Sequence, residues 1–208
     1  MPTQQLTATH ADIQQAATLL QQGQIVVFPT DTVYGIGVNA FDADAIERLY
    51  IAKMRPREKG IPILISDPDV LEQVLDGPID PAIQPLIDAY WPGPLTLILP
   101  RHANLPDNIS PNKGVAVRIP NSEIARNLIR QAGGALATSS ANISSNDPAL
   151  NAQMAFDALQ GRVAAVIDGG NVQHAAASTI IDCRISPPKL VREGPVAWPQ
   201  KKGEENEE

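Results

Sequence analysis

Short apolar runs and helical periodicities, interleaved in no strict βαβ order, predict an α/β fold built on one mixed sheet. Three observations carry this. Strand-length apolar stretches recur at 25–28, 61–65, 95–99, 114–119, 135–138, 163–167 and 178–182. Amphipathic patterns of helical spacing lie between most of them. Hydrophobic residues make up 43% of the 208 and aromatics only 4%, so the core must come mainly from Ile, Leu, Val and Ala. The length suits one large domain over 1–200, with no internal repeat and no second domain. Nineteen prolines imply many short elements joined by rigid turns.

In chain order, 11–22 forms the first helix, with Ile13, Ala16, Ala17 and Leu20 on one face and Gly23 ending it. The run 25–28 is a buried strand that gives way to Pro29-Thr30-Asp31-Thr32. Gly35 and Gly37 then let the backbone turn sharply and a ligand come close. A helix follows over 42–55, N-capped by Asp42 and stopped by Pro56. The run 61–65 is a short strand whose Pro62 argues for an edge or a bulge. Residues 69–75 and 82–90 read as helices, and Trp91-Pro92-Gly93-Pro94 as a stiff turn before strand 95–99. The segment 100–113, rich in Pro and Asn, is the longest irregular stretch. Strand 114–119 carries one cation, Arg118. Helix 122–131 ends at Gly133-Gly134, and strand 135–138 opens into Ser139-Ser140-Ala141-Asn142. Helix 151–160, strands 163–167 and 178–182 and the segment 189–192 complete the domain, and 201–208 (KKGEENEE) reads as a disordered acidic tail.

Chemistry concentrates in 28–59. On the 42–55 helix Ile46, Leu49, Tyr50 and Lys53 share one face, and Lys53 stands where a core would want Leu. Arg55, Arg57 and Lys59 follow at alternate positions. Residues 48–59 hold five basic side chains and one acidic, against a net charge of −7 for the chain. Cations beside a glycine-bearing strand end suit a polyphosphate. The plain alternative is a solvated helix C-terminus complementing its macrodipole.

Other classes are disfavoured. The acidic balance argues against broad nucleic-acid binding. Cys183 is the only cysteine, so no intramolecular disulfide can form, and its apolar run (STIIDC) suits a small buried hydrophobe better than a nucleophile. His10, His102 and His174 have no metal-ligand spacing, which argues against zinc. Neither a signal peptide nor a membrane-length apolar run is visible, which reads as a cytoplasmic protein without a membrane partner. There is no GxxxxGK[ST], and 35–40 has two dinucleotide-fold glycines without room for the accompanying helix.

PTDTVYGIG at 29–37, AKMRPREK at 52–59, SSAN at 139–142 and AASTIID at 176–182 resemble, in that order, the YrdC family of threonylcarbamoyl-AMP synthases. The resemblance implies a twisted open mixed sheet with helices on its faces and a large concave site. It implies a nucleotidyltransferase making threonylcarbamoyl-AMP and pyrophosphate from L-threonine, bicarbonate and ATP, with Mg2+ accompanying ATP. The product would feed a partner tRNA threonylcarbamoyl transferase complex. Residue by residue, the resemblance puts Lys53 and Arg55 at the triphosphate as the catalytic cations, and Lys59, Ser140, Asn142 and Arg192 at the nucleotide. Thr32, Arg118, Thr138 and Ser178 fall on the threonine side, with Arg118 pairing with the substrate carboxylate. Read locally, SSAN also suits an Asx or capping turn, and Arg118 a strand-edge salt bridge. Leu64 departs from the pattern, taking a slot where some relatives carry histidine. The 143–148 loop (ISSNDP) lacks the usual glycines. The chain ends near the motif domain, as a short form without an extra C-terminal domain would.

Such a reaction needs no covalent enzyme intermediate. Positioning and charge neutralisation suffice, which matches a site of Lys, Arg, Ser and Thr without a Ser-His-Asp or Cys-His set. A labile carbamate asks for a deep cavity or a closing loop, for which 100–113 and 143–150 are the candidates. Two other readings fit the same fold. One is a non-catalytic RNA-binding protein using 48–59 as a weak RNA surface; the other is a carbamoyl-transfer module with a different acceptor.

Overall fold

A computed structural model of the chain describes residues 2–172 and 176–198; the 201–208 tail and His174 lie outside the described residues. Strand β1 (Gln4–Thr7) leads into α1 (His10–Gln21), capped by the Thr9 hydroxyl, which accepts from the Asp12 amide. Strands β2 (Val26–Phe28) and β3 (Gly35–Asn39) precede α2 (Ala43–Lys53), whose N-cap Asp42 accepts from the Ala45 amide. Strand β4 (Ile63–Ile65) is followed by the short helices α3 (Leu71–Val74) and α4 (Gln84–Tyr90). Strands β5 (Leu95–Pro100) and β6 (Gly114–Arg118) come next, then α5 (Glu123–Gln131), capped by Ser122. Strand β7 (Ala135–Ser140), α6 (Ala152–Leu159), β8 (Ala165–Asp168), β9 (Thr179–Asp182) and β10 (Lys189–Arg192) complete the order.

The ten strands of the described residues join one sheet in the order β1-β8-β2-β3-β7-β4-β6-β5-β9-β10. Pairs β1–β8, β2–β8, β4–β6 and β5–β9 are parallel, and the other five are antiparallel. The expected mixed α/β sheet with helices on its faces is what forms. No helix among the described residues is long and apolar enough to cross a membrane.

Strand alternation sorts the sheet into two faces. Val27, Ile36, Val38, Ile63, Ile65, Ala135, Ala137, Leu97, Val117 and Ile181 point to one face, where they pack with α2, α3 and α4 residues such as Ile46, Leu49, Val74 and Ile87. Val26, Phe28, Leu64, Leu136, Ala165 and Ile167 point to the other, against Ile13, Ala16 and Leu20 of α1 and Ala125, Leu128 and Ile129 of α5. Helices α1 and α5 lie over β1, β2, β3, β4, β7 and β8. Beyond their reach the same face carries Thr96, Arg118 and Ile180, and there the sheet opens into a cavity instead of a core.

Several local expectations change. Gly35 and Gly37 do not turn the chain; they lie inside β3, antiparallel to β2, and the loop 29–34 makes the reversal. Their lack of a side chain serves packing: a Cβ on Gly37 would stand 3.0 Å from both Phe28 Cε1 and Thr138 Oγ1. Strand β4 is central, between β7 and β6, because Pro62 sits just before it and contributes only its carbonyl, which accepts from the Thr138 amide at 2.7 Å. Strand β1 has no apolar alternation, with only Leu6 buried, so periodicity misses it. Helix α2 stops two residues before the expected Arg55: Met54 turns left-handed (φ 52°), and the Arg55 amide reaches back to the Tyr50 carbonyl at 2.9 Å. That early stop frees Arg55 from the helix.

Candidate active site

The cavity beyond α1 and α5 holds about 290 Å3. Its floor follows from parity: Gly35 of β3, Thr138 and Ser140 of β7, Leu64 of β4, Arg118 of β6 and Thr96 of β5 all fall on one face of the sheet. The loop 29–34, the turn after β7 and the start and end of the β9–β10 hairpin supply the rim. Of the ten residues singled out from sequence, eight line this space: Thr32, Arg55, Arg118, Thr138, Ser140, Asn142, Ser178 and Arg192.

One end is a buried cation network. Arg118, 5% exposed, donates from Nε to the Gly93 carbonyl (2.8 Å), from Nη1 to the Thr32 hydroxyl (2.8 Å) and from Nη2 to Asp31 Oδ1. Burial works against its charge, and Asp31 opposes that effect. The 29–34 loop is held by Thr30, whose hydroxyl donates to the Val33 carbonyl (2.7 Å) and lies 3.0 Å from that of Thr32. Ser178 and Thr96 share a hydroxyl–hydroxyl bond of 2.7 Å, and Thr138 Oγ1 donates to the Leu136 carbonyl. Asp31 Oδ2 is buried and has no hydrogen-bond partner among the described residues.

The opposite end is built from cations on backbone oxygens. Arg55 donates to the carbonyls of Lys59 (2.9 Å) and Gly60 (2.7 Å), with Nη1 3.5 Å from the Ser139 hydroxyl. Between the two ends, Arg192 donates twice to the Ser178 carbonyl (3.0 and 2.8 Å) and once to its hydroxyl (3.1 Å). Burial and then the neighbouring Arg55 depress the Arg192 pKa, and neither guanidinium group pairs with a carboxylate among the described residues. The turn after β7 is internally bonded: Ser140 Oγ donates to Asn142 Oδ1 (2.5 Å), and Asn142 Nδ2 to the carbonyls of Ile143 and Asn146 (2.9 and 2.7 Å). Asn146 and Pro148 of the following loop also line the wall.

Two expected nucleotide contacts sit elsewhere. Lys53 is on the predicted buried face of α2, 1% exposed, but its ammonium lies beneath the 140–142 turn, off the cavity wall. Lys59 is exposed, and it is its carbonyl, taken by Arg55, that enters the site's bonding. The reason is the chain's path after Met54: it curls so that carbonyls 59 and 60 brace Arg55 while the Lys59 side chain leaves to solvent. Arg57 also leaves, pairing with Glu47 and stacking over Tyr50 at 4.6 Å. Of the basic run, Arg55 alone reaches the cavity among these side chains.

Sequence reasoning did not single out Asp31 or Thr96. Thr96 left a signal: it is the polar residue of opposite parity in the run Leu95-Thr96-Leu97-Ile98-Leu99. Asp31 left none, because its partner Arg118 lies 87 positions away. Cys183 is half-buried, and burial pushes its thiol up to about 12, which disarms it as a nucleophile. The cavity therefore offers fixed cations, hydroxyls and an amide. It can hold a carboxylate at one end and neutralise a polyphosphate at the other.

A family model described as telomere recombination, the Sua5, YciO and YrdC domain, matches residues 18–194. Threonylcarbamoyl-AMP synthase of Bacillus subtilis is 38% identical over 203 residues, covering 95% of this chain and 58% of that protein. A putative threonylcarbamoyl-AMP synthase of Mycobacterium tuberculosis is 38% identical over 183 residues, covering 88% and 83%. The solved structure of Pyrococcus abyssi Sua5 complexed with L-threonine superimposes with a TM-score of 0.88 at 36% identity, covering 92% of this chain and 57% of that one. The chain thus spans little more than half the length of the Bacillus and Pyrococcus relatives. With nearly all of its sheet and cavity inside the matched region, the chain belongs to the Sua5, YciO and YrdC family.

Proposed function

We propose that the chain is a threonylcarbamoyl-AMP synthase whose catalytic domain is residues 1–200, using L-threonine, bicarbonate and ATP. The observation that carries this is a single cavity with two unlike ends: a buried, carboxylate-paired arginine at one and, leading from it to the other, guanidinium groups without a carboxylate partner among the described residues. A relative bound to L-threonine supports the first end, and curated relatives named for the reaction support the whole. Arg118 has committed Nε and one N–H on each terminal nitrogen, so each terminal nitrogen keeps one N–H for a carboxylate. Thr32, Thr138 and Ser178 would surround the substrate side chain and amine.

The threonine amine takes up carbon dioxide derived from bicarbonate, releasing one proton and giving a carbamate. A carbamate oxygen attacks the α-phosphorus of ATP and pyrophosphate leaves, so one P–O bond forms as another breaks. Arg55 and Arg192, with Ser140 and Asn142, would bind the phosphates and stabilise the charge that builds on them. Mg2+ would add charge neutralisation on the phosphates. The lining supplies hydroxyl and amide oxygens but no carboxylate, a donor set suited to an ion that arrives on ATP. The product is a reactive mixed anhydride, and we assign its consumption to acyl transfer onto tRNA by a partner transferase complex.

The test is pyrophosphate release by purified protein with and without L-threonine and bicarbonate. Release requiring both is the expected result. ATP cleavage indifferent to threonine would mean a different acceptor, and RNA affinity without turnover would mean a binding protein.

A further inference from the structure

Lys53 is a buried lysine on the last turn of α2, with no carboxylate partner among the described residues. Its Nζ donates to the carbonyls of Ser140 (2.5 Å) and Asn142 (2.7 Å) and lies 3.4 Å from Asn142 Oδ1. In the protonated form its three N–H groups face three acceptors, two at short range and Asn142 Oδ1 at a long 3.4 Å, so the side chain is committed to the turn and not to the cavity. The backbone of the same residue closes the loop from the other side: the Ser144 amide donates to the Lys53 carbonyl at 2.9 Å. One residue thus grips the turn at 140, 142 and 144. Ser140 and Asn142 line the cavity, and Lys53 does not.

We propose that Lys53 is a positioning residue, not a phosphate ligand: its ammonium holds the Ser140–Asn142 turn from beneath and so aims the Ser140 hydroxyl and the Asn142 amide into the cavity. In this arrangement Arg55, two residues on, touches the anion directly while Lys53 acts through the turn. The phosphate side of the inference rests on the synthase reading; the grip on the turn does not. A phosphate contact and a socket differ in what they tolerate. A phosphate contact accepts arginine, which carries the same charge on a longer fork. A buried socket sized for an ammonium and filled by three oxygens rejects it.

The experiment compares wild type, Lys53→Met and Lys53→Arg by pyrophosphate release at varied ATP and threonine, and by amide hydrogen exchange over 139–146. In Lys53→Met, kcat should fall by about 100-fold and the ATP KM rise, while the threonine KM stays within about 3-fold, because Arg118 and Thr32 are untouched. The Ser144 and Asn146 amides should exchange about 10-fold faster or more. Lys53→Arg should resemble Lys53→Met. Wild-type exchange over the turn in Lys53→Met overturns the proposal, and so does near-wild-type turnover in Lys53→Arg. A uniform loss of kcat with both KM values unchanged would reduce Lys53 to a structural residue and also overturns it. If wild type releases no threonine-dependent pyrophosphate, the synthase reading fails, and the exchange data still decide the grip. Should the variants not fold, ligand-free wild type decides it: protected Ser144 and Asn146 amides are expected, and unprotected ones overturn it.

Discussion

The two ends of the cavity solve the problem of a buried cation differently. Arg118 is enclosed, bonded on three nitrogens and paired with Asp31, so it is held rigid before any ligand arrives. Arg55 and Arg192 lean on backbone carbonyls, which orient them without neutralising them. A paired cation can select a carboxylate by shape, since its charge is already balanced. Unpaired cations in a depressed-pKa cluster have a standing electrostatic demand for an anion. The difference suits a small amino acid recognised by geometry and a polyphosphate recognised by charge.

The sharpest way to break this contrast is to remove one cation from each end. Arg118→Met leaves Asp31 buried and unpaired, and should cost about 3–5 kcal/mol of stability, read as a drop in denaturant midpoint. Adding Asp31→Asn should restore most of that stability without restoring threonine use. If the single variant is as stable as wild type, Arg118 and Asp31 are not a coupled buried pair. Arg55→Ala orphans only the Gly60 carbonyl, since the Lys59 carbonyl keeps the Tyr50 hydroxyl, and should cost about 1 kcal/mol of stability. Turnover is a separate matter, with an expected fall of about 100- to 1,000-fold. A large unfolding effect with modest kinetic loss would erase the distinction between the ends.

The floor joining the ends gives a smaller effect. Gly37→Ala would press a methyl against Phe28 and Thr138 and should cost about 1–3 kcal/mol. A neutral outcome in thermal melts would mean that β3 can shift away from β2. The most gradual signature belongs to Lys53. Burial first, and Arg55 second, push its pKa from 10.5 down to about 7. Below about pH 7 it is protonated in both states, and the cost of burying the charge is borne in full. Between about 7 and 10.5 the unfolded chain keeps a proton that the folded protein releases, so stability should climb with pH. Lys53→Met should lack that climb in denaturant midpoints measured across the window; parallel curves would refute the shift.

Much of the scaffold was legible from local pattern. The cap Asp42, the shared face of Ile46, Leu49, Tyr50 and Lys53, and the strand-length runs each depend on residues within one turn or one strand. The motif order also picked out ten residues, of which eight line the cavity.

What sequence determined by itself was therefore the periodic helices and apolar strands, which of their residues would be buried, and which segments carried cations and hydroxyls. Tertiary structure alone decided what those side chains meet. Asp31 finds Arg118, the Gly35–Gly37 pair becomes a strand that makes room for Phe28 and Thr138, and Lys53 finds two carbonyls instead of the cavity. The physical reason is that periodicity reports only the face a side chain points to. Which partner waits on that face depends on sheet register and on contacts between positions some 87 residues apart, where no local pattern reaches.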